Sequence, residues 1–247
     1  SRVTPEEIEL LSELTIVIPT YNRPLELERA IEYWRDTAVT VHILDGSEKP
    51  CFQVGVLPGV SNITYHYFEP KDVGTLSRGY ESRIRFAAQL PTTKFSAMIG
   101  DDDFFVISGL CGSLKVLSQS ETICSVTGVC VGYEKLNHKT KWGLRQVESK
   151  DSEGFVSTDV TDRLKPLQSG ETPITYYGIF KTDTWKKVFA ISYRHEFAKV
   201  GGERLVHANA LALGPLKEIK QVLWLRRFYV ERTNFEDYIF SQRGDYD

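Results

Sequence analysis

The sequence predicts an α/β protein: a central, mostly parallel sheet flanked by helices. Two observations carry this. Short β-branched runs alternate with apolar runs at helical spacing, and acidic residues fall at strand ends, where open α/β sheets hold their ligands. Thr15-Ile16-Val17-Ile18 is a strand that stops at Pro19, and Leu27, Ala30, Ile31 and Trp34 then recur at helical spacing behind Pro24. Val41 to Leu44 is a second strand closed by Asp45-Gly46-Ser47, and Ile63 to Phe68 is a third. A helix is expected from about Thr75 to Leu90, with Tyr80, Ile84 and Ala87 on one side and Arg78, Arg83 and Arg85 elsewhere. Phe95 to Ile99 is a fourth strand running into Asp101-Asp102-Asp103, and Ile107, Leu110, Leu114 and Leu117 mark the next helix.

The second half is less regular. Thr122 to Tyr133 reads as a buried strand, Asn137 to Gly170 as hairpins and loops, and Ile174 to Phe180 as a turn leading into a strand. Thr182 or Asp183 is expected to cap a short helix bearing Trp185, Val188 and Phe189. Glu203 to Leu213 forms another helix, stopped by Gly214-Pro215, and Lys220 to Phe228 is the last strand.

The chain has 247 residues, 41% hydrophobic and 26% charged, the balance of one large globular domain. Thirty Lys and Arg against 33 Asp and Glu leave a net charge of -3, so no global positive field favours nucleic acid. The longest charge-free stretch, Cys51 to Phe68, holds too many polar and turn residues to span a bilayer, and no membrane span is expected. The N-terminus lacks both a start Met and a signal sequence and reads as a piece cut from a longer protein, with a cytoplasmic location. Cys51, Cys111, Cys124 and Cys130 show no metal spacing and are expected as reduced thiols. Asn62-Ile63-Thr64 is a sequon that matters only in a secretory pathway.

Three adjacent carboxylates after an apolar strand repel one another, and a bound cation relieves that repulsion. Carboxylate ligation without nearby His or Cys suits Mg²⁺ or Mn²⁺, which complete their shells with phosphate oxygens and water, so a diphosphate is the implied ligand. The competing reading is a solvated acidic turn.

Thr15-Ile-Val-Ile-Pro-Thr-Tyr-Asn-Arg-Pro24, Ile43-Leu-Asp-Gly-Ser47 and Met98-Ile-Gly-Asp-Asp-Asp103, in this order, resemble family 2 glycosyltransferases of the GT-A fold. The resemblance covers about the first 110 residues strongly and the remainder loosely. It implies that Pro19, Thr20 and Tyr21 wall a nucleotide pocket, that Asp45 reads the base, and that Asp103 ligates the metal. It further implies that Asp101 contacts the donor ribose or sugar and shares the metal, while Asp102 shapes the site. Arg23 and Arg78 are candidates for phosphate. This chain departs from many relatives in having Gly100 before the aspartates and Tyr80-Glu81-Ser82-Arg83 where Ala-Arg-Asn is common. His207, Glu231 or a residue near Asp245 is the expected third metal ligand.

Family 2 enzymes are inverting, with an acidic base opening a late helix. Gly201-Gly202-Glu203 matches that outline, so Glu203 is the expected base, with Glu196 and Glu171 in reserve. Trp142, Trp185, Tyr176 and Tyr177 are candidate acceptor contacts. The implied function is metal-dependent, inverting transfer of one sugar from a nucleoside diphosphate sugar, UDP by default, to a carbohydrate or lipid-linked acceptor. Residues 1–110 would hold donor and metal, and residues 111–247 the acceptor and base. A non-catalytic nucleotide-sugar or glycan-binding module is the alternative. A sugar-phosphate nucleotidyltransferase fits less well, since Ile18 to Arg23 lacks a glycine-rich phosphate loop.

Overall fold

A computed structural model describes residues 3–53, 55–57, 59–69, 79–136, 141–148, 154–168, 175–193 and 198–228. The chain opens with α1 (Pro5–Ser12), which sequence periodicity did not reveal. The Thr4 hydroxyl accepts from the Glu7 amide and the Glu7 carboxylate accepts from the Thr4 amide, a reciprocal cap that Thr-Pro-Glu-Glu spells out. There follow β1 (Leu14–Thr20), α2 (Pro24–Trp34), β2 (Thr40–Asp45), β3 (Gly55–Val56), β4 (Ile63–Tyr67), α3 (Tyr80–Ala87) and β5 (Phe95–Met98). The second half comprises β6 (Phe104–Phe105), α4 (Ile107–Gln119), β7 (Ser125–Leu136), β8 (Lys141–Glu148), β9 (Gly154–Phe155) and α5 (Val160–Gln168). It ends with β10 (Ile179–Lys181), α6 (Thr182–Ser192), α7 (Ala198–Leu213) and β11 (Leu216–Phe228).

The strands form one sheet in the order β3-β4-β2-β1-β5-β10-β7-β11-β6, with β8 beside β7 and β9 beside β11. β4, β2, β1 and β5 pair in parallel, as do β7 and β11. β10 is a three-residue antiparallel wedge that joins β5 to β7. β1 is central and buried on both faces, so its Thr15 to Ile18 run is β-branched without a break rather than alternating. Leu14, Ile16 and Ile18 pack with Leu27 and Trp34 of α2 and Leu110 and Leu114 of α4, whereas Val17 joins Ile84 of α3 and Trp185 and Phe189 of α6. Helices therefore cover both sheet faces, and the mostly parallel α/β architecture expected from the sequence is the one observed.

Several expectations for the second half need correction. α5 lies inside the stretch expected to hold only hairpins and loops, despite Pro166 within it. The α6 N-cap is Lys181, and neither Thr182 nor Asp183 caps it; the Thr182 hydroxyl bonds Ser96 instead, at 2.6 Å. α7 begins at Ala198, so Glu203 is its sixth residue and does not open it. β11 begins at Leu216, four residues before Lys220.

Because β1, β2 and β5 run in parallel, their carboxyl ends emerge at one edge of the sheet. That edge gathers Pro19 to Arg23, Asp45 to Glu48, and Gly100 to Asp103.

Candidate functional site

The turn after β1 is laced to the turn after β2. Asn22 adopts φ 51°, a left-handed conformation that Asn tolerates better than most residues. Its amide donates to Ser47 Oγ at 2.8 Å and its side-chain oxygen accepts from the Glu48 amide at 3.1 Å, while Tyr21 donates to Glu48 at 3.2 Å. Asp45 anchors the second turn. It is fully buried, its Oδ1 accepting from the Ser47 amide and hydroxyl and its Oδ2 from the Cys51 amide and the Tyr65 hydroxyl. Burial alone would raise its pKa, but these hydrogen bonds outweigh it and hold the carboxyl below its ordinary value. Four donors fill the four lone-pair directions a carboxylate offers, so a base N–H would have to displace one of them.

The aspartate triplet is divided in its duties. Asp101, 3% exposed, accepts from Thr20 Oγ1 at 2.6 Å on one oxygen and from Arg23 Nη1 at 3.0 Å on the other. The same Arg23 nitrogen reaches Asp102 at 2.8 Å. Asp103, 6% exposed, accepts only the Arg227 amide, at 2.9 Å, among its described hydrogen bonds. Burial, above all, pushes Asp101 up to about 6 and Asp103 up to about 7. A Cβ built on Gly100 would lie 3.2 Å from Asp102 Oδ1, 3.7 Å from Asp103 Oδ2 and 3.3 Å from the Tyr177 hydroxyl, so these three oxygens crowd the Gly100 Cα and a side chain there would press on them.

Beside the triplet, Pro19, Thr20, Tyr21, Arg23, Tyr80, Arg83 and Asp101 line a pocket of about 260 Å³. Five of these were expected from the sequence; Tyr80 and Arg83 were not. Arg83 is 3% exposed and its guanidinium lies over Gly46, where an added Cβ would sit 1.2 Å from Nη1. Burial lowers its pKa while Tyr80, Asp45 and Tyr21 favour the charge, and an arginine stays protonated in such a balance. The signal that could have found it is Gly46 itself, a residue without a side chain at a strand end where another group needs the space.

The Tyr80 hydroxyl bonds that of Tyr176 at 2.5 Å, and Tyr176 bonds Tyr193 at 3.1 Å. Burial, together with the charge of Glu203, raises the Tyr80 phenol to about 12 and lifts Tyr193 further. Tyr177, also raised by burial, lies within electrostatic reach of Asp103, Glu203 and Asp102 together. Glu203 is exposed, and its charge is felt by Tyr177, Tyr80 and Tyr193.

No family model and no curated protein matches the chain. Solved structures match it in fold. TarS of S. aureus superposes with a TM-score of 0.58 at 14% identity, covering 87% of this chain and 36% of that one. TarS 1-349 in complex with UDP gives 0.54 at 14% identity, covering 87% and 60%. The mannosyltransferase PcManGT from Pyrobaculum calidifontis, in complex with GDP-Man and Mn²⁺, gives 0.51 at 14% identity over 94% and 60%. The chain has a glycosyltransferase fold.

Within this glycosyltransferase fold the remaining expected residues separate clearly. Arg78, Glu171, Glu196, Glu231 and Asp245 lie outside the described residues, as does the Trp142 side chain. His207 is 9% exposed, its Nδ1 accepting from the Thr175 amide at 3.2 Å and bonded to the Thr175 hydroxyl. Among the described residues no three His, Cys, Asp or Glu side chains converge as a metal cage. Trp185 and Tyr176 are core residues, at 0% and 8% exposure, and of the aromatic candidates described only Tyr177 reaches the site. The sequon is absorbed structurally: Asn62 Nδ2 donates to the carbonyls of Trp34, Thr37 and Val39 at 2.8, 3.2 and 2.9 Å. None of the four cysteines is in a disulfide, and no described helix is long and apolar enough to cross a membrane.

Proposed function

We propose that the chain is the catalytic part of a family 2 glycosyltransferase. It would transfer one sugar, with inversion, from a UDP-sugar to a carbohydrate or lipid-linked acceptor. The observation that carries this reading is the convergence, on one pocket at the parallel strand ends, of Thr20, Tyr21, Arg23, Arg83 and Asp101, with Asp102 paired to the same Arg23.

The residues fit a divalent cation of the Mg²⁺ or Mn²⁺ kind. The donor set is oxygen only, and one carboxylate oxygen each of Asp102 and Asp103 lies close against Gly100, which suits ions that take one or two protein carboxylates. Asp103 would hold the metal directly, with Asp102 beside it; Asp101 joins only if Arg23 releases it, and otherwise fixes Thr20 and Arg23 against the pocket. Such a cation supplies neutralisation of the negative charge that builds on a departing diphosphate. Arg83 and Arg23 both line the pocket and would offer guanidinium donors to phosphate oxygens there. Asp45 keeps the β2 turn in shape around the base, and Glu203 takes the proton from the acceptor hydroxyl as it attacks.

Calorimetric binding of UDP, GDP, dTDP and CMP, each with and without Mn²⁺, tests the donor site without knowledge of the acceptor. Metal-dependent binding of one diphosphate is expected, and Asp103→Asn should abolish the metal dependence; failure of folded protein to bind any nucleotide would sink the reading. Glu203→Gln should keep donor affinity and lower turnover by roughly 10² to 10⁴. The exposure of Glu203, in the second turn of its helix, favours one competing reading: a module that binds a nucleotide sugar without turning it over. Nucleotide binding by wild type with no turnover on any acceptor tried, and no change on Glu203→Gln, would select it.

A further inference from the structure

Tyr80 and Arg83 reach the pocket together. The Arg83 amide donates to the Gly79 carbonyl at 3.1 Å in the first turn of α3, and residues three apart share one helix face, so both side chains line the same cavity. The Arg83 guanidinium lies against Gly46 and over the Tyr80 ring, its Cζ 5.8 Å from the ring centre, within the range of a cation–π contact. Arg83 is 3% exposed, so little water competes for that contact. The ring is held in turn. Its hydroxyl bonds that of Tyr176 at 2.5 Å, Tyr176 bonds Tyr193 at 3.1 Å, and the Tyr193 ring meets the Tyr80 ring at a steep angle, 5.9 Å away. The three phenols come from α3, the turn before β10 and the end of α6. Behind Tyr193 stands α7, where a Cβ on Gly202 would lie 2.9 Å from the Tyr193 ring, so the cluster has no slack on that side. Tyr176 and Tyr193 are core residues, and a buried hydroxyl needs a partner wherever it lies. Tyr80 is only part-buried and lines a pocket, so its inward bond does something else: it fixes an aromatic face beside a cation.

We propose that Tyr80 is a positioning residue for the donor diphosphate: its ring holds the Arg83 guanidinium against Gly46, ready to meet a phosphate oxygen. A cation–π contact consumes none of the guanidinium N–H donors, so Arg83 can rest on the ring and still bind an anion. A long arginine side chain loses rotamer freedom when a ligand orders it, and one already ordered by the fold does not subtract that loss from affinity. The assignment rests on the donor-site reading above, but one arm of its test needs no nucleotide.

The experiment is a double-mutant cycle read by calorimetric binding of UDP at saturating Mn²⁺ to wild type, Tyr80→Leu, Arg83→Ala and the double variant, with Tyr80→Phe alongside. Tyr80→Leu should weaken UDP about threefold to tenfold in the wild-type background and less than about twofold where Arg83 is already alanine. Tyr80→Phe keeps the ring and should lose less than Tyr80→Leu. Without ligand, the Arg83 Nε–H resonance should shift in Tyr80→Leu, because the ring beside it is gone. Circular dichroism checks folding, and Tyr80→Met replaces Tyr80→Leu if the latter does not fold. Equal losses in both backgrounds would overturn the proposal by making Tyr80 a direct nucleotide contact or a support for the fold at large. So would no loss in Tyr80→Leu, a greater loss in Tyr80→Phe, or an unmoved Arg83 resonance. A folded wild type that binds no nucleotide would bring down the donor-site reading and the phosphate role with it, and the resonance would then report separately whether Tyr80 orders Arg83.

Discussion

Gly46 and Arg83 share one volume, and each explains the other. Removing the Gly46 side chain leaves room for a guanidinium to lie over the β2 turn, within the pocket's wall and beside Asp45. Gly46→Ala is therefore expected to evict Arg83 and to reproduce Arg83→Ala, with each weakening UDP binding by roughly tenfold or more, the scale of a charge-assisted hydrogen bond. Calorimetry on the two variants and on the double mutant checks it, and additive losses would show the two residues to be independent. At this scale the sequence was most informative where chemistry and position coincide. The Pro19 to Arg23 turn and Asp101 to Asp103 follow strands whose apolar runs announce them. Arg83 ranked behind Arg78 because an arginine that lies buried over a strand end is spelled the same way as one solvated on a helix face. Asp45 shows the converse: its position was legible, but its four internal donors are contributed by Ser47, Cys51 and Tyr65, and no spacing rule links those residues.

Between elements, α4 approaches β11 closely. A Cβ on Gly109 would lie 2.2 Å from the Val222 carbonyl and 2.8 Å from the Leu223 Cα, both backbone, whereas one on Gly112 would meet the tip of the Gln221 side chain at 2.1 Å. The two glycines of one helix should thus respond oppositely. Gly109→Ala should destabilise by about 2–3 kcal/mol, since strand and helix must part, while Gly112→Ala should be neutral or stabilise by up to about 1 kcal/mol as Gln221 swings aside and helix propensity improves. Urea midpoints with unchanged slopes would measure both. The elements of the first half were legible because parallel strands buried on both faces are continuous apolar runs with clear stops. Those of the second half were less so: β11 carries register shifts against β7 between Ile219 and Val222 and between Val222 and Trp224, which break its periodicity. α5 hides behind polar residues and Pro166, and the extra turn at the start of α7 bears two glycines, Gly201 and Gly202, that read as a loop. Gly202 is there for contact instead, since a Cβ would lie 2.9 Å from the Tyr193 ring.

Across the whole molecule, titration works in two directions. Folding holds His42, paired with His66 at 3.1 Å, down to about 4, chiefly by burial. The unfolded chain takes that proton first as pH falls below about 6.5, so this group's stabilisation is present at neutral pH and is lost as pH drops toward 4. Asp101 and Asp103, pushed up to about 6 and about 7, act with the opposite sign and favour the folded state at the acid end of the same window. The informative quantity is therefore a difference. Relative to wild type, His42→Gln should gain about 2 to 6 °C in Tm as pH falls from 6.5 to 4. Thermal unfolding followed by circular dichroism across that range measures it, and a difference independent of pH would remove His42 from the account.

The antiparallel wedge β10 also sets a timetable for biosynthesis. Eighty residues separate the end of β5 at Met98 from the start of β10 at Ile179. At ordinary translation speeds that interval lasts about 4 to 16 s. Throughout it the nascent β4-β2-β1-β5 array presents the open hydrogen-bonding edge of β5, with Phe95 and the core-forming Ala97 and Met98 along it. The first half of the protein, where most of the proposed donor pocket resides, thus leaves the ribosome with an adhesive edge. It depends on a three-residue strand, made much later, to close it.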